Sequence, residues 1–551
     1  MQGWPSLAAT ACQDYPEFLP LMWDIISKSA MKLRGNGDHL ELLATLCLHH
    51  GKVPIRQNQI QLWEIMESSY ANIFDIYWND VSRKGPSEGI LDVTDNIYFF
   101  GRFLEVIGHV AMGNARILEA VQKEPKFSFE VLTDQIFDTR LPLYIRSMLA
   151  KLTGILYLEK YESLDPSQGI RMSPGALNAM KTTQASGTPR ALLSACDPLR
   201  AKLESYLQTL DPVVNPDNLN TNILTLQAIK LVNRLLVIGS FATDAAFLAD
   251  GNILLSPNVT NLLAVLTHHL HVDDDLAEEN ELSKYTATEK SKVVMLIKLE
   301  VLKAMDYIVE LWQSTRLNAV VINVAADLRP ASGTQMKISK SRSPRDEKMI
   351  NSWDNPIFDT DADADTFEVA SAPTSEHASR KMNTTSCDAE AEQSMFSFDK
   401  AYMTKVVAAT ENILLFAPTK ADDAKMRDSL GVSLMELLRY ELPSLRMHAF
   451  QSLCNIMMPS AKLLTLVGDT QLLSTKAEGM TYQTVRKHKV DLRRLIMLLP
   501  DEDALKQLQA LVMVLIDTCD DVAERSFRVM MADLHFHDLL IECAGNAGCK
   551  F

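Results

Sequence analysis

Apolar residues recur at spacings of three and four along most of this chain, a periodicity typical of amphipathic helices. No segment alternates apolar and polar residues for long enough to predict a strand. Only 21 of 551 residues are glycine, fewer than the ~7% of an average protein, which suits helices joined by short links. The sequence therefore predicts an all-α fold. Its first helices are expected over 56–80, 89–112, 141–161, 198–210, 219–241, 258–270 (with Asn258 as N-cap) and 286–317.

Prolines punctuate the predicted helices in the C-terminal part of the chain. Ser433–Leu442 is followed by Pro443, and Ser444–Met458 is followed by Pro459. Because proline cannot continue a helix, we expect each helix to end before it and Ser444 to cap the second one. Short links of this kind favour antiparallel packing of neighbouring helices. The remaining predicted helices cover 461–473, 482–499, 501–518 and 522–542.

Two C-terminal segments resemble the helix pairs of armadillo and HEAT-type repeat proteins. They are VSLMELLRYELPSLRMHAFQSLCNIMM (432–458) and DDVAERSFRVMMADLHFHDLLIECAG (520–545). The resemblance implies stacked antiparallel helix pairs that form a curved solenoid and present a surface to other proteins. A strict repeat of ~40 residues with fixed positions is not found. We therefore expect an irregular armadillo- or HEAT-like α-solenoid.

Residues 329–397 interrupt the helical pattern. The segment is rich in Ser, Thr, Asp, Ala and Pro. Between 354 and 392 it has ten acidic residues and only two basic ones, Arg380 and Lys381. Such a composition buries too little apolar surface to offset its ordering entropy, which predicts a disordered acidic linker. The expected domains are a helical block over 1–328, this linker over 329–397 and a second helical block over 398–551.

Charge and composition narrow the class of protein. The net charge of −16 disfavours direct nucleic-acid binding, which needs a concentrated positive surface. The chain shows no signal-peptide pattern and no window of ~18 apolar residues, so we expect no membrane insertion and a cytoplasmic or nuclear location. Eight scattered cysteines indicate reduced thiols. The expected partners are other proteins with basic or mixed-charge surfaces.

No residue pattern predicts an active site, a metal or a cofactor. The P-loop, the dinucleotide fingerprint, the hydrolase elbow, paired CxxC motifs and the kinase set are absent from the sequence. The richest ligand cluster runs from His268 to Asp275, but its side chains point to different sides of a helix end. Histidine interacting with the helix dipole explains it better than metal coordination does. We therefore predict a protein that is not an enzyme.

The candidate partner-binding residues lie in the linker and on one C-terminal helix. In the linker, apolar and turn-forming residues stand in a polar context that is typical of short docking motifs: Trp353, Asn355, Pro356, Ile357 and Phe358. Packing of this motif on the chain's own helices remains the alternative. Ser341 and Ser343 are flanked by basic residues and are candidates for phosphorylation; a nuclear-localisation signal or a plain solvated linker is the alternative.

Three cations share one face of the helix predicted over 482–499. Arg486, Lys489 and Arg493 follow each other at three- and four-residue steps and form a basic ridge on an acidic chain. We hypothesise that this basic ridge binds an acidic partner or the acidic linker. A solvated helix face is the simpler interpretation.

Taken together, these features predict a non-enzymatic interaction scaffold or adaptor with a regulatory linker. The alternative is a transport-type carrier or pore scaffold that wraps basic cargo, and a third is a helical exchange factor or an enzyme with an unfamiliar site.

Overall fold

The structure is a computed structural model. It describes residues 17–49, 53–84, 94–159, 170–172, 195–210, 214–241, 257–270, 285–327, 407–408, 410, 430–468, 470–473, 476–498, 502–520, 531, 534, 536, 538 and 539. Ser341, Ser343, the motif 353–358 and the rest of the predicted linker at 329–397 lie outside the described residues, as does most of the helix predicted over 522–542.

Seventeen α-helices occupy the described ranges and are numbered here in chain order. Those before residue 240 are α1 Phe18–Ala30, α2 Gly37–Leu46, α3 Arg56–Met66, α4 Tyr70–Lys84, α5 Asp95–Ala111, α6 Ala115–Lys123, α7 Phe129–Phe137, α8 Leu143–Thr153, α9 Asp197–Thr209 and α10 Leu219–Val237. The others are α11 Pro257–His268, α12 Glu289–Asp327, α13 Leu430–Leu437, α14 Pro443–Met457, α15 Pro459–Gly468, α16 Lys476–Leu498 and α17 Glu502–Asp520.

The few strands are two or three residues long. Strand β1 (Leu48–His49) pairs antiparallel with β2 (Val53–Pro54), and β3 (Ile170–Met172) pairs parallel with β4 (Gln471–Leu473). A 3-10 turn covers Pro125–Phe127, and a π-helical turn covers Gly154–Leu158. The predicted all-α class is therefore confirmed for the described residues.

Helix α5 lies at the centre of the N-terminal helices. All five of its periodic apolar residues are buried: Ile97, Phe100, Phe103, Leu104 and Ile107. It packs against α2, α3, α4, α6 and α8, so neighbours cover most of its circumference. The Phe74 ring on α4 contacts Phe100 and Phe127 edge to face, at centroid distances of 5.3 and 5.0 Å. Such aromatic pairs add packing energy beyond their buried area.

Helix α12 has the same role further along the chain. It is 39 residues long, and even Lys298 and Gln313 are fully buried on it. Asn233 Nδ2 on α10 donates to its Glu300 carbonyl oxygen at 2.8 Å. On another side, Ser452 Oγ of α14 donates to Asp306 Oδ1 at 2.6 Å. A helix buried on most sides by neighbours carries apolar residues all round, which is why a single stripe does not describe it.

The helices on both sides of the predicted linker belong to one compact unit, which comprises residues 1–325 and 404–551. One continuous apolar core within it runs from Leu19 to Ile456, and a second is formed between Tyr482 and Leu539. The other unit, 326–403, is described only at the end of α12. The proposed domain boundaries at 328 and 397 stay a prediction.

Proline positions correct several expected helix boundaries. Helices α11, α14 and α15 begin at Pro257, Pro443 and Pro459, so these prolines start helices. Ser444 is therefore inside α14 and Asn258 inside α11, and neither is the N-cap. The physical reason is that the first helical residue has no intrahelical acceptor for its N–H, and proline has its φ already set to the helical value.

Two predicted helices are divided or shortened. The stretch 56–80 forms α3 and α4 with a turn between them, where Ser69 Oγ donates to the Met66 carbonyl and accepts from Trp23 Nε1. Serine competes for backbone hydrogen bonds in this way and weakens a helix interior. The stretch 461–473 ends as a helix at Gly468, and its last three residues form β4. That change depends on a partner strand about 300 residues away, which no local pattern can reveal.

Candidate partner-binding pocket

A pocket opens where the π-helical turn after α8 meets α10. Its volume is about 250 Å³. The apolar part of its lining consists of Met112, Ala150, Gly154, Ile155 and Leu231, and the polar part of Lys151, Glu159, Gln227, Lys230 and Arg234. A concave apolar surface with a few converging polar groups is the usual form of a ligand or side-chain binding site.

The π-helical turn shapes this pocket. Regular α8 ends at Thr153, and the next turn widens so that Glu159 N donates to the Gly154 carbonyl five residues back at 3.0 Å. Such turns are rare in proteins as a whole, but many of those that occur lie at functional sites. Gly154 lies in the α region with φ −55°, and a Cβ there would meet Leu231 at 3.4 Å, an ordinary contact. A Cβ atom therefore fits at this position.

Three cations stand at the rim of the pocket. Lys151 Nζ bonds Glu105 Oε1 at 2.6 Å, and Arg234 donates from Nε and Nη2 to the carbonyl oxygens of Leu158 and Glu159, each at 3.1 Å. Burial lowers the pKa of Lys230; Glu300 opposes that shift, whereas Lys151 and Lys303 add to it. The rim therefore concentrates positive charge within a protein whose net charge is −16.

Arg493, one of the three residues of the predicted basic ridge, acts electrostatically on Arg234, which lines the pocket. Burial lowers the pKa of Arg234, and the positive charge of Arg493 on α16 lowers it further. Helix α16 also packs against α6. Within the part of the chain that the structure describes, neither Lys230 nor Arg493 makes a hydrogen bond or an ion pair. These two cations are thus available to an anionic group.

The other two residues of the ridge flank the buried face of α16. Arg486 and Lys489 are half-buried, as is Arg493, and they lie beside the core residues Val485 and Leu492. All three share a helix, as the spacing indicated. They are half-buried because α16 packs on α17 and α6.

An ion-pair network holds Lys151, one of the pocket residues, in place. Glu105 accepts from Arg102 Nη1 and from Lys151 Nζ, each at 2.6 Å, and His109 Nε2 lies 4.0 Å from it. Burial raises the pKa of Glu105, but Lys151, Arg102 and His109 outweigh it and bring the pKa to about 2. Burial and the Lys151 charge lower the pKa of His109 to about 4. The network thus contains a carboxylate and a neutral imidazole at neutral pH.

A serine, a histidine and an aspartate meet elsewhere, between α12 and α14. Asp306 accepts from Ser452 Oγ at 2.6 Å, and its other oxygen lies 3.3 Å from His448 Nδ1. In hydrolase triads the serine bonds the histidine, which in turn bonds the aspartate. Here the carboxylate is the acceptor of the hydroxyl, and Ser452 is buried. The arrangement connects two helices, and the order of its hydrogen bonds differs from that of a triad.

The histidines considered as metal ligands are also placed in part. His269 is buried, and its carbonyl oxygen accepts from Lys298 Nζ at 3.3 Å. The side chain of His268 and residues 271–284 lie outside what the structure describes. Among the described residues, no three histidine, cysteine, aspartate or glutamate side chains come together as a metal site requires.

Large apolar side chains are exposed along α13, α14 and α15, including Met458 in the link between α14 and α15. They are Val432, Met435, Met447, Phe450, Met457, Met458, Leu464 and Val467. On α14 the buried residues Leu445, Ala449, Ser452 and Ile456 occupy the opposite side of the helix. We call the exposed set the apolar face. Sequence periodicity does not reveal it, because apolar residues on both sides of a helix obscure a single stripe.

A scan against protein-family models finds no match to this chain, and a search of curated proteins likewise returns none. None of the helices in the described ranges combines the length and the apolar content needed to cross a membrane.

Proposed function

We propose that this protein is a non-enzymatic scaffold or adaptor that binds other proteins through an irregular armadillo- or HEAT-like helical solenoid. The observation that carries the proposal is the apolar face on α13, α14 and α15. Met457 and Leu464 are each 72% exposed, and Phe450 is 56% exposed. Single apolar residues on a surface are ordinary, but eight of them within thirty-six consecutive residues (432–467) are typical of a surface that a partner covers.

The composition of the apolar face supports protein binding in particular. Four of its residues are methionine: Met435, Met447, Met457 and Met458. Methionine is flexible and polarisable, and it is common on surfaces that adapt to different helical partners. Phe450 provides a rigid aromatic anchor of the kind that contributes most to binding energy.

The order of helix contacts supports a solenoid. Helix α2 packs against α5, α5 against α8, and α8 against α10. Helix α10 then contacts α12 through Asn233, and α12 contacts α14 through Asp306. Each of these contacts joins a helix to one two or three positions further along the chain, which fits stacked repeats in which each unit of several helices contacts its neighbours.

The charge of the pocket favours a scaffold over the alternative of a carrier for basic cargo. A carrier of that kind would line its binding surface with Asp and Glu. The pocket between α8 and α10 instead has Lys151, Lys230 and Arg234 at its rim. In the proposed scaffold, residues 329–397, including Ser341, Ser343 and the motif 353–358, regulate partner binding.

The test is affinity purification with mass spectrometry on the full chain and on a triple variant, Met447→Ser, Phe450→Ser and Met457→Ser. A matched control replaces two exposed polar residues of the same helix, Arg446→Ser and Gln451→Ser. We expect a reproducible partner set from the wild type and the control, and its loss from the triple variant. Thermal unfolding checks that both variants fold.

A second comparison removes residues 329–397. Partners recovered with and without this segment would place binding on the helices, whereas loss on deletion would place it in the segment. An unchanged partner set for the triple variant, or no partner for the wild type, contradicts the proposal. Gel filtration of the wild type and the triple variant distinguishes partner binding from self-association through the same face.

A further inference from the structure

We infer that the pocket between α8 and α10, together with Arg493, binds an acidic peptide segment of a partner protein through one bulky apolar side chain and flanking carboxylates. The inference rests on the proposed scaffold function and specifies the chemistry of one partner contact. It uses a site separate from the apolar face, so the two can fail independently.

The volume of the pocket fits a single side chain better than a cofactor. Its volume of about 250 Å³ is smaller than the ~300–1,000 Å³ of typical small-molecule sites. Its floor is apolar, formed by Ala150, Ile155 and Leu231 among others. An apolar side chain inserted there would be desolvated on several sides, which is the usual environment of an anchor residue in a peptide complex.

The positive charges around the pocket favour acidic groups on either side of that anchor residue. Lys230 and Arg493 have no hydrogen bond or ion pair among the described residues, whereas Lys151 and Arg234 are held by Glu105 and by backbone carbonyls. Glu159 and Glu300 offset part of the positive charge. Recognition of acidic motifs by clustered cations is a recurrent mode of peptide binding.

The acidic charge of the rest of the molecule strengthens the preference of an acidic peptide for this pocket. With 70 acidic and 54 basic residues, most of the protein repels an acidic peptide. A local cluster of cations therefore fixes where such a peptide binds, because complementary charge contributes to register and specificity. Arg493 comes from a different helix than Lys230, so two separate elements must be in place to form the site.

The experiment measures fluorescence anisotropy of a labelled synthetic peptide with aspartates on both sides of a single tryptophan. It uses the full chain. Lys230→Glu and Arg493→Glu are each expected to weaken binding about tenfold, since each replaces an attraction by a repulsion. The matched controls are Arg494→Glu and Lys487→Glu, at exposed positions on α16, the helix that carries Arg493. They should change affinity less than about twofold.

A second pair of changes tests the apolar anchor. Gly154→Leu adds bulk at a residue that lines the pocket and has room for a Cβ atom, and we expect it to abolish binding. A peptide with glycine in place of tryptophan, or asparagines in place of aspartates, should also bind poorly. Thermal unfolding of each variant separates loss of binding from loss of fold, and Lys230→Met gives an intermediate affinity if charge is the cause.

Four results would overturn the inference. They are no binding by the wild type, equal binding of the asparagine peptide, equal weakening by Arg494→Glu and Arg493→Glu, and binding that appears only when residues 329–397 are removed. The last would mean that the chain fills its own pocket. Peptide binding that persists in the triple variant of the apolar face separates this inference from the scaffold proposal.

Discussion

Helices α5 and α14 both carry apolar residues on more than one side, but their surroundings differ. Neighbouring helices cover α5 so completely that Phe100 and Phe103 are fully buried. On α14 one side packs on α13 and α12, while Met447, Phe450 and Met457 are exposed. The comparison teaches that an apolar helix face becomes core or binding surface according to the helices around it, and the residues themselves do not decide this.

The largest expected effect contrasts one phenylalanine from each helix. Phe103→Ala should lower the free energy of unfolding by about 3–5 kcal/mol, because it leaves a cavity in a close-packed core. Phe450→Ala should lower it by less than about 0.5 kcal/mol, because the ring is already exposed to water. Urea denaturation of the two variants measures the difference. A large loss of stability for Phe450→Ala would mean that this side chain is part of the core.

The second prediction contrasts a largely buried carboxylate of α5, Glu105, with an exposed one of α17. Glu105→Gln should cost about 3 kcal/mol, since it removes the negative charge that pairs with Lys151 and Arg102, and only Arg102 has a second carboxylate partner, Glu41. The control Glu502→Gln breaks an ion pair with Lys506 in which both side chains are more than half exposed, and should cost less than about 0.5 kcal/mol. Equal effects in denaturant titrations would show that the α5 network stabilises the fold no more than an exposed ion pair does.

The third prediction concerns acid. The pKa of His109 is about 4 in the folded protein and 6.5 ordinarily, so the unfolded chain binds the proton more readily and stability falls as pH drops from 6.5 towards 4. The pKa of Glu105 is about 2 against 4.5, so its contribution is lost as pH falls from 4.5 towards 2. Each step is on the order of 3 kcal/mol.

The pH dependence of the urea midpoint measures these steps. His109→Gln should flatten the curve between pH 6.5 and 4 relative to the wild type and leave the lower step in place. If the variant and the wild type lose stability in parallel over that range, then burial does not lower the pKa of His109.

Sequence periodicity predicted the helical class and many of the helices, and it failed at particular residues for physical reasons. It placed the five periodic residues of α5 correctly because that helix is long and strongly apolar. It misassigned the caps Asn258 and Ser444, which lie inside α11 and α14, because a proline that ends one helix can also begin the next.

The candidate site was accessible to sequence reasoning only through Arg493. The basic spacing of α16 identified that residue, whereas Lys230 and Arg234 on α10 have a four-residue step that many solvated helices share. Lys151 comes from α8, about 80 residues earlier than Lys230. A site assembled from separate helices leaves no local pattern, because proximity in space is created by packing.

The amino-acid sequence by itself determined that this protein is helical, that its net charge is acidic and that residues 329–397 differ in composition from the rest. These properties follow from local periodicity and from counts of residues, which need no knowledge of the fold. Only the tertiary structure decided which apolar faces are covered and which cations converge on the pocket. Both depend on contacts between helices far apart in the chain, and such contacts are set by the packing of the whole unit.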